Sequence, residues 1–152
     1  MKLWTKIGIC SLIFAATSAC EKESDFPDEP VLKTRSFDRK SEAVAVWRIG
    51  FTDGNGDLGV RNDSDPDNFF VRILIYKNAV VDTIIEGENY RIPVVKGIRT
   101  AAGVEGEIAF EIDGIDFFKA AGYDSLQYTG FAVDRSKDTS NVVKTPIFTS
   151  TL

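Results

Sequence analysis

From Glu42 onward, apolar residues fall at every second position in short runs, and the runs are separated by clusters of Gly, Asp and Asn. A period of two places alternate side chains on opposite faces of an extended chain, so this pattern demands strands with one face turned to a core. Between Glu42 and Phe51 the face is built by Ala43, Ala45, Trp47, Ile49 and Phe51, which makes Trp47 a core residue. Asn68 to Tyr76 is almost continuously apolar, as in a strand covered on both sides, and Lys77-Asn78 turns it into Ala79 to Ile85 as a hairpin. Tyr90 to Pro93 is a short extended piece, with Pro93 favouring a sheet edge. Val104 to Ile112 alternates cleanly, with Val104, Ile108, Phe110 and Ile112 inward. Asp116 to Gly122, with an acid at its start and a glycine at its end, reads as a single short helix near 115–121. Leu126 to Val133 and Asn141 to Thr149 close the series.

Seven or eight strands with turn signals between them predict an all-β fold, an immunoglobulin-like or fibronectin-III-like β-sandwich. Trp47 on an early strand is similar to the fibronectin pattern. Asp124-x-Leu126-x-Tyr128 resembles the tyrosine corner of immunoglobulin-like domains. A lipocalin-like barrel is the structural rival, but its eight longer strands ordinarily take more residues.

The chain opens with Lys2 and Lys6 around a short apolar run, Ile7 to Ala16, and then Thr17-Ser18-Ala19 before Cys20. The run is too short for a bilayer core of roughly 30 Å, so it reads as an export signal. A cysteine directly after small residues resembles the lipobox of bacterial lipoproteins, with Thr17 at a position usually held by an aliphatic residue. The expected organisation is a signal over 1–19, an acidic tether over 20–30 beginning at a lipidated Cys20, and one domain over 31–152. Secretion without lipid is the alternative. Attachment to the membrane would come from acyl chains, each buried methylene contributing about 0.8 kcal/mol.

The net charge is −5, and the basic residues are not clustered, which argues against nucleic acid as a partner. There is no histidine, and the two cysteines are Cys10, in the signal, and Cys20. This removes Ser-His-Asp and Cys-His catalysis and the common zinc sites. What remains is the chemistry of carboxylates and of cations bound through oxygen.

Phe51-Thr52-Asp53-Gly54-Asn55-Gly56-Asp57-Leu58-Gly59 puts oxygen-bearing side chains on every second residue between glycines, the composition a hard cation such as Ca²⁺ uses. It is not an EF-hand, because Leu58 stands at the required glycine and Ser64 at the bidentate glutamate. In a sandwich the loops after Phe51 and after Val133 emerge at the same end, so Asp134 and Asp138 are expected to face Asp57. The candidate metal ligands are therefore Asp53, Asn55, Asp57, Asp134 and Asp138, with Asn62, Asp63, Asp65 and Asp67 as a second acidic cluster on the same loop. The plainer reading is that Asp, Asn and Gly are there because they favour turns.

At these residues the chain resembles a group of uncharacterised Bacteroidetes-type envelope lipoproteins. The resemblance rests on Cys20, Phe51 to Gly59, Tyr90-Arg91-Ile92-Pro93, Gly106-Glu107-Ile108, Asp134-Arg135-Ser136 and Ser140-Asn141-Val142-Val143-x-Thr145-Pro146. It implies an outer-membrane lipoprotein with an immunoglobulin-like fold, and carries no established activity. Acids just after the lipidated cysteine, here Glu21, Glu23 and Asp25 with Lys22 interrupting them, resemble a tag for the cell surface.

The expected function is a non-catalytic binding or accessory module with a protein or glycan partner, its loops forming the working surface on a rigid scaffold. The alternative is a carboxylate-dependent hydrolase of an extracellular polymer. Glu105 and Glu107, on one face of one strand and about 7 Å apart at the backbone, are its candidate pair.

Overall fold

Alternating side chains pair off two sheets, each hiding its apolar face against the other. A computed structural model describes residues 25–62, 64–94, 98–100, 103–121 and 123–149. The signal over 1–19, Cys20, Glu21, Glu23 and Asp63 lie outside the described residues. The first sheet has the order β1-β2-β6-β5, from β1 (Val31–Arg39), β2 (Ala45–Asp53), β5 (Ile98–Thr100) and β6 (Gly103–Ile112). The second has the order β4-β3-β7-β8, from β3 (Phe69–Lys77), β4 (Val80–Glu86), β7 (Ser125–Ala132) and β8 (Val143–Lys144), with β9 (Phe148–Thr149) also on β7. All pairings between these strands are antiparallel. In chain order this is the A-B-E-D sheet of an immunoglobulin-like sandwich against a C-F-G sheet extended by β4 and β9, as the sequence led us to expect.

The core is aromatic at its centre. Trp47 meets the edge of Phe69 at 6.1 Å, and Phe69 stacks on Phe110 at 4.3 Å. Trp47 and Phe69 are fully buried, each burial contributing roughly 2–3 kcal/mol. The end of the Phe69 ring packs closely on β7 because residue 130 is glycine: a Cβ there would sit 2.6 Å from the ring. The side chain of Asn141 ties the sheets together at one rim, accepting from Leu32 N at 2.7 Å and donating to Leu32 O at 3.0 Å. Thr34 Oγ1 adds a bond to Lys144 O at 2.8 Å.

Four elements differ from the sequence expectation, the first being β5 (Ile98–Thr100), a three-residue strand on the edge of its sheet that is too short to show alternation. Strand β1 is the edge of its sheet, and its mixture of Lys33, Thr34, Arg35 and Asp38 with few apolar residues hides the alternation. Asn141 to Thr149 is divided into β8 and β9, because Thr145 turns its hydroxyl to Tyr128 N and Pro146 offers no ladder donor. Strand β3 is covered on both sides only in part, with Arg72 exposed on its outer face. The helix forms as α1 (Ile115–Ala120), its Ile115 and Phe118 buried.

The β3–β4 hairpin turns through Asn78 and Ala79, both with positive φ (52° and 61°), and Asp124 Oδ2 accepts Asn78 N at 2.7 Å. Such a turn favours Gly at its second position, so Ala79→Gly is expected to stabilise the protein by about 1 kcal/mol in urea unfolding. Tyr128 is buried and stacks on Phe148 at 5.9 Å, and burial raises its phenol from 10.0 to about 12. The neutral phenol therefore stabilises the fold fully below pH 10, and this contribution is lost as the pH rises towards 12, by up to about 3 kcal/mol. Tyr128→Phe should remove that part of the alkaline destabilisation.

Candidate functional site

Strand β2 ends, β3 begins and β7 ends at the same rim of the sandwich, since Asp53 pairs with Val104 and Phe69 with Ala132. The β2–β3 loop (54–68) and the β7–β8 loop (133–142) are thereby brought side by side, as the sandwich topology predicts.

Asp53 follows the inward parity of Ala45, Trp47, Ile49 and Phe51, so its side chain points into the interior and is 1 % exposed. Its carboxylate is satisfied by the main chain of the loop it begins: Gly56 N donates to Oδ1 at 3.0 Å and Leu58 N to Oδ2 at 2.6 Å. Charge-assisted bonds of this kind are among the stronger ones. They fold the loop back over the end of the barrel-free sandwich and bury Leu58. Asn55 remains exposed, its Oδ1 accepting Asp57 N at 3.0 Å.

Asp57 is the residue that reaches across. Its Oδ2 accepts Ser136 Oγ at 2.8 Å, and Arg135 spans the same gap in the other direction, donating to Gly59 O at 2.7 Å. On the far side Asp134 Oδ1 accepts Asp138 N at 2.8 Å, so Asp138 serves the loop through its amide. Asp134 and Asp57 stand close enough to share a hydrogen bond if either were protonated. Burial, then the charges of Asp57 and Asp138, push the Asp134 carboxyl above its ordinary range, against the Asp138 amide, which pulls it down.

Among the described residues, two buried side-chain oxygens lack a hydrogen-bond partner, Asp57 Oδ1 and Asp134 Oδ2. Of the five expected ligands, the structure thus brings Asp57 and Asp134 together, commits Asp53 to the loop backbone, leaves Asn55 outside and joins Asp138 to Asp134 through its main-chain amide. Among the described residues no three His, Cys, Asp or Glu side chains converge into a metal-holding group. The second acidic cluster is also occupied with loop structure. Asp65 Oδ2 accepts Arg61 N and Asn62 N, which holds its carboxyl below the ordinary range, and Asp67 pairs with Arg91 at 3.7 Å.

Two clefts flank Val60. One, of about 420 Å³, has Phe70, Val133, Asp67, Asp134, Arg135 and Lys137 among its lining residues. The other, of about 530 Å³, is lined by Arg61, Asn62, Arg91 and Pro93 among others. Both are in the range of small-ligand sites. Glu105 and Glu107 lie elsewhere, exposed on the outer face of β6, with Glu107 paired to Arg48 at 3.6 Å.

A contact missed by sequence reasoning joins this rim to the N-terminal segment. Gly54 N donates to Pro27 O at 2.7 Å, and a Cβ on residue 54 would collide with Phe26 O, so only glycine allows the approach. Pro30 is fully buried. The folded unit therefore takes in the end of the stretch expected to be a free tether. Arg135 and Ser136 were visible only as part of a motif, and their cross-loop bonds have no local sequence signal. Among known proteins, no family model matches the chain and no curated protein matches it.

Asp53→Ala would orphan the Gly56 and Leu58 amides and is expected to cost about 3 kcal/mol in denaturant unfolding, with Leu58 amide exchange accelerated. Asp53→Asn, which keeps one acceptor, should cost about half of that.

Proposed function

We propose that this chain is a lipid-anchored, non-catalytic binding or accessory module of the cell envelope, and that the rim formed by the β2–β3 and β7–β8 loops is its working surface. The observation that carries this reading is the docking of Phe26 and Pro27 onto Gly54. With acyl chains on Cys20, the stretch from Cys20 to Pro27 spans at most about 25 Å. The rim that bears both clefts is then the end of the sandwich held nearest the bilayer, and the β3–β4 hairpin is the end held farthest away.

This placement favours a partner that itself sits in or on the same membrane. A component of an envelope complex can present a surface to loops at that height, whereas a long extracellular glycan has easier access to the distal hairpin. The cleft beside Phe70 has apolar residues and charges of both signs in its lining, which suits a peptide segment. The cross-loop bonds of Asp57, Ser136 and Arg135 hold its edges in place before any partner arrives, which lowers the ordering cost of binding.

Fractionation tests the anchor: the wild-type chain should sediment with membranes and Cys20→Ala should not. For the orientation, the lipidated chain is labelled in vesicles through a single added thiol, Arg61→Cys at the rim or Lys77→Cys at the hairpin. A headgroup quencher should quench the rim label more strongly. Equal or reversed quenching would contradict the orientation.

A further inference from the structure

We propose that Asp57 and Asp134 form a calcium site that locks the β2–β3 loop to the β7–β8 loop, with Asp57 Oδ1 and Asp134 Oδ2 as its carboxylate ligands. Asp134 is only 4 % exposed and its Oδ2 is buried with no donor; the neighbouring Asp57, whose charge acts on it, likewise has a buried, unpartnered Oδ1. Every other oxygen of the pair is accounted for: Asp57 Oδ2 takes the Ser136 hydroxyl and Asp134 Oδ1 the Asp138 amide. Two carboxylate oxygens on neighbouring acids, both removed from water and with no cationic side chain bonded to either, lack a compensating positive charge.

A proton can fill that role in acid; at neutral pH a hard divalent cation fills it better. Arg135, the nearest basic residue in sequence, spends a guanidinium N–H on Gly59 O. Ca²⁺ accepts irregular shells of about six to eight oxygens and tolerates water and main-chain carbonyls among them, while Mg²⁺ demands a near-octahedral set. With only two carboxylates the affinity belongs to the weak class of extracellular modules, with Kd on the order of 10⁻⁴ to 10⁻³ M. This ligand set is narrower than the loop composition implies, because Asp53 and Asn55 are turned to backbone amides.

The site deepens the proposed function, since the ion would rigidify the edge of the cleft that Asp134 shares with Phe70. It depends on that reading only for a compartment rich in calcium. Its test uses purified protein, so it can fail while the membrane orientation stands, and the reverse.

The experiment is thermal unfolding of the full chain in chelator and with CaCl₂ at about 5 mM, with NaCl matched for ionic strength and MgCl₂ as a further arm. The wild type should gain about 5 °C with calcium and clearly less with magnesium or sodium. Asp134→Asn and Asp57→Asn each supply an amide N–H to the orphaned oxygen opposite. Both should therefore fold at least as stably in chelator and lose the calcium increment. Absence of a calcium shift in the wild type, an equal shift with sodium, or an increment retained in both variants would overturn the site.

Discussion

The loop end of this protein depends on a buried carboxylate. Asp53 continues the core-facing parity of β2 and would be a costly intrusion at the sandwich rim if its charge were unanswered. Two main-chain amides from the loop it begins answer it. That arrangement turns the chain back on itself within a few residues, buries Leu58 and leaves Asp57 directed across at the β7–β8 loop. Gly54, held against Pro27, links the same turn to the start of the domain. The turn capped by Asp53 thus joins three separated stretches of sequence.

The sandwich was legible because burial has a period. Trp47, Phe110 and Leu126 each fall on the buried parity of a strand, and all three are in the core. The edge strand β1 was not legible, since an edge with one solvated face and several long polar side chains shows little alternation. Within the site, the convergence of Asp57 with Asp134 followed from topology alone, whereas the fate of Asp53 did not follow from reading the loop as a list of oxygen donors. Its position in the alternation of β2 was the available signal: a residue in register with Trp47 and Phe51 points inward whatever its chemistry. The docking of Phe26 and Pro27 had no such signal, because it depends on a main-chain contact with a glycine far along the chain.

The division of labour among the acids follows from the number of amide donors near each. Asp53 and Asp65 each accept two main-chain N–H groups and serve as loop caps. Asp67 has an arginine. Asp57 and Asp134 have one donor each and a buried oxygen left over. A loop rich in Asp, Asn and Gly is therefore mostly a turn device here, and the pair with unspent oxygens is where binding chemistry is concentrated. In the proposed reading, that pair lies at the membrane-facing rim beside a cleft large enough for a peptide side chain or two.

The opposition of Asp57 and Asp134 is the claim on which the site rests, and a double-mutant cycle measures it most directly. Unfolding free energies of the wild type, Asp57→Asn, Asp134→Asn and the double variant are compared in chelator. The two neutralisations should interact, the second contributing far less than the first, with a coupling of about 1 kcal/mol or more. Additivity to within about 0.3 kcal/mol would show that the two carboxylates do not meet, and the arrangement described for this rim would be wrong.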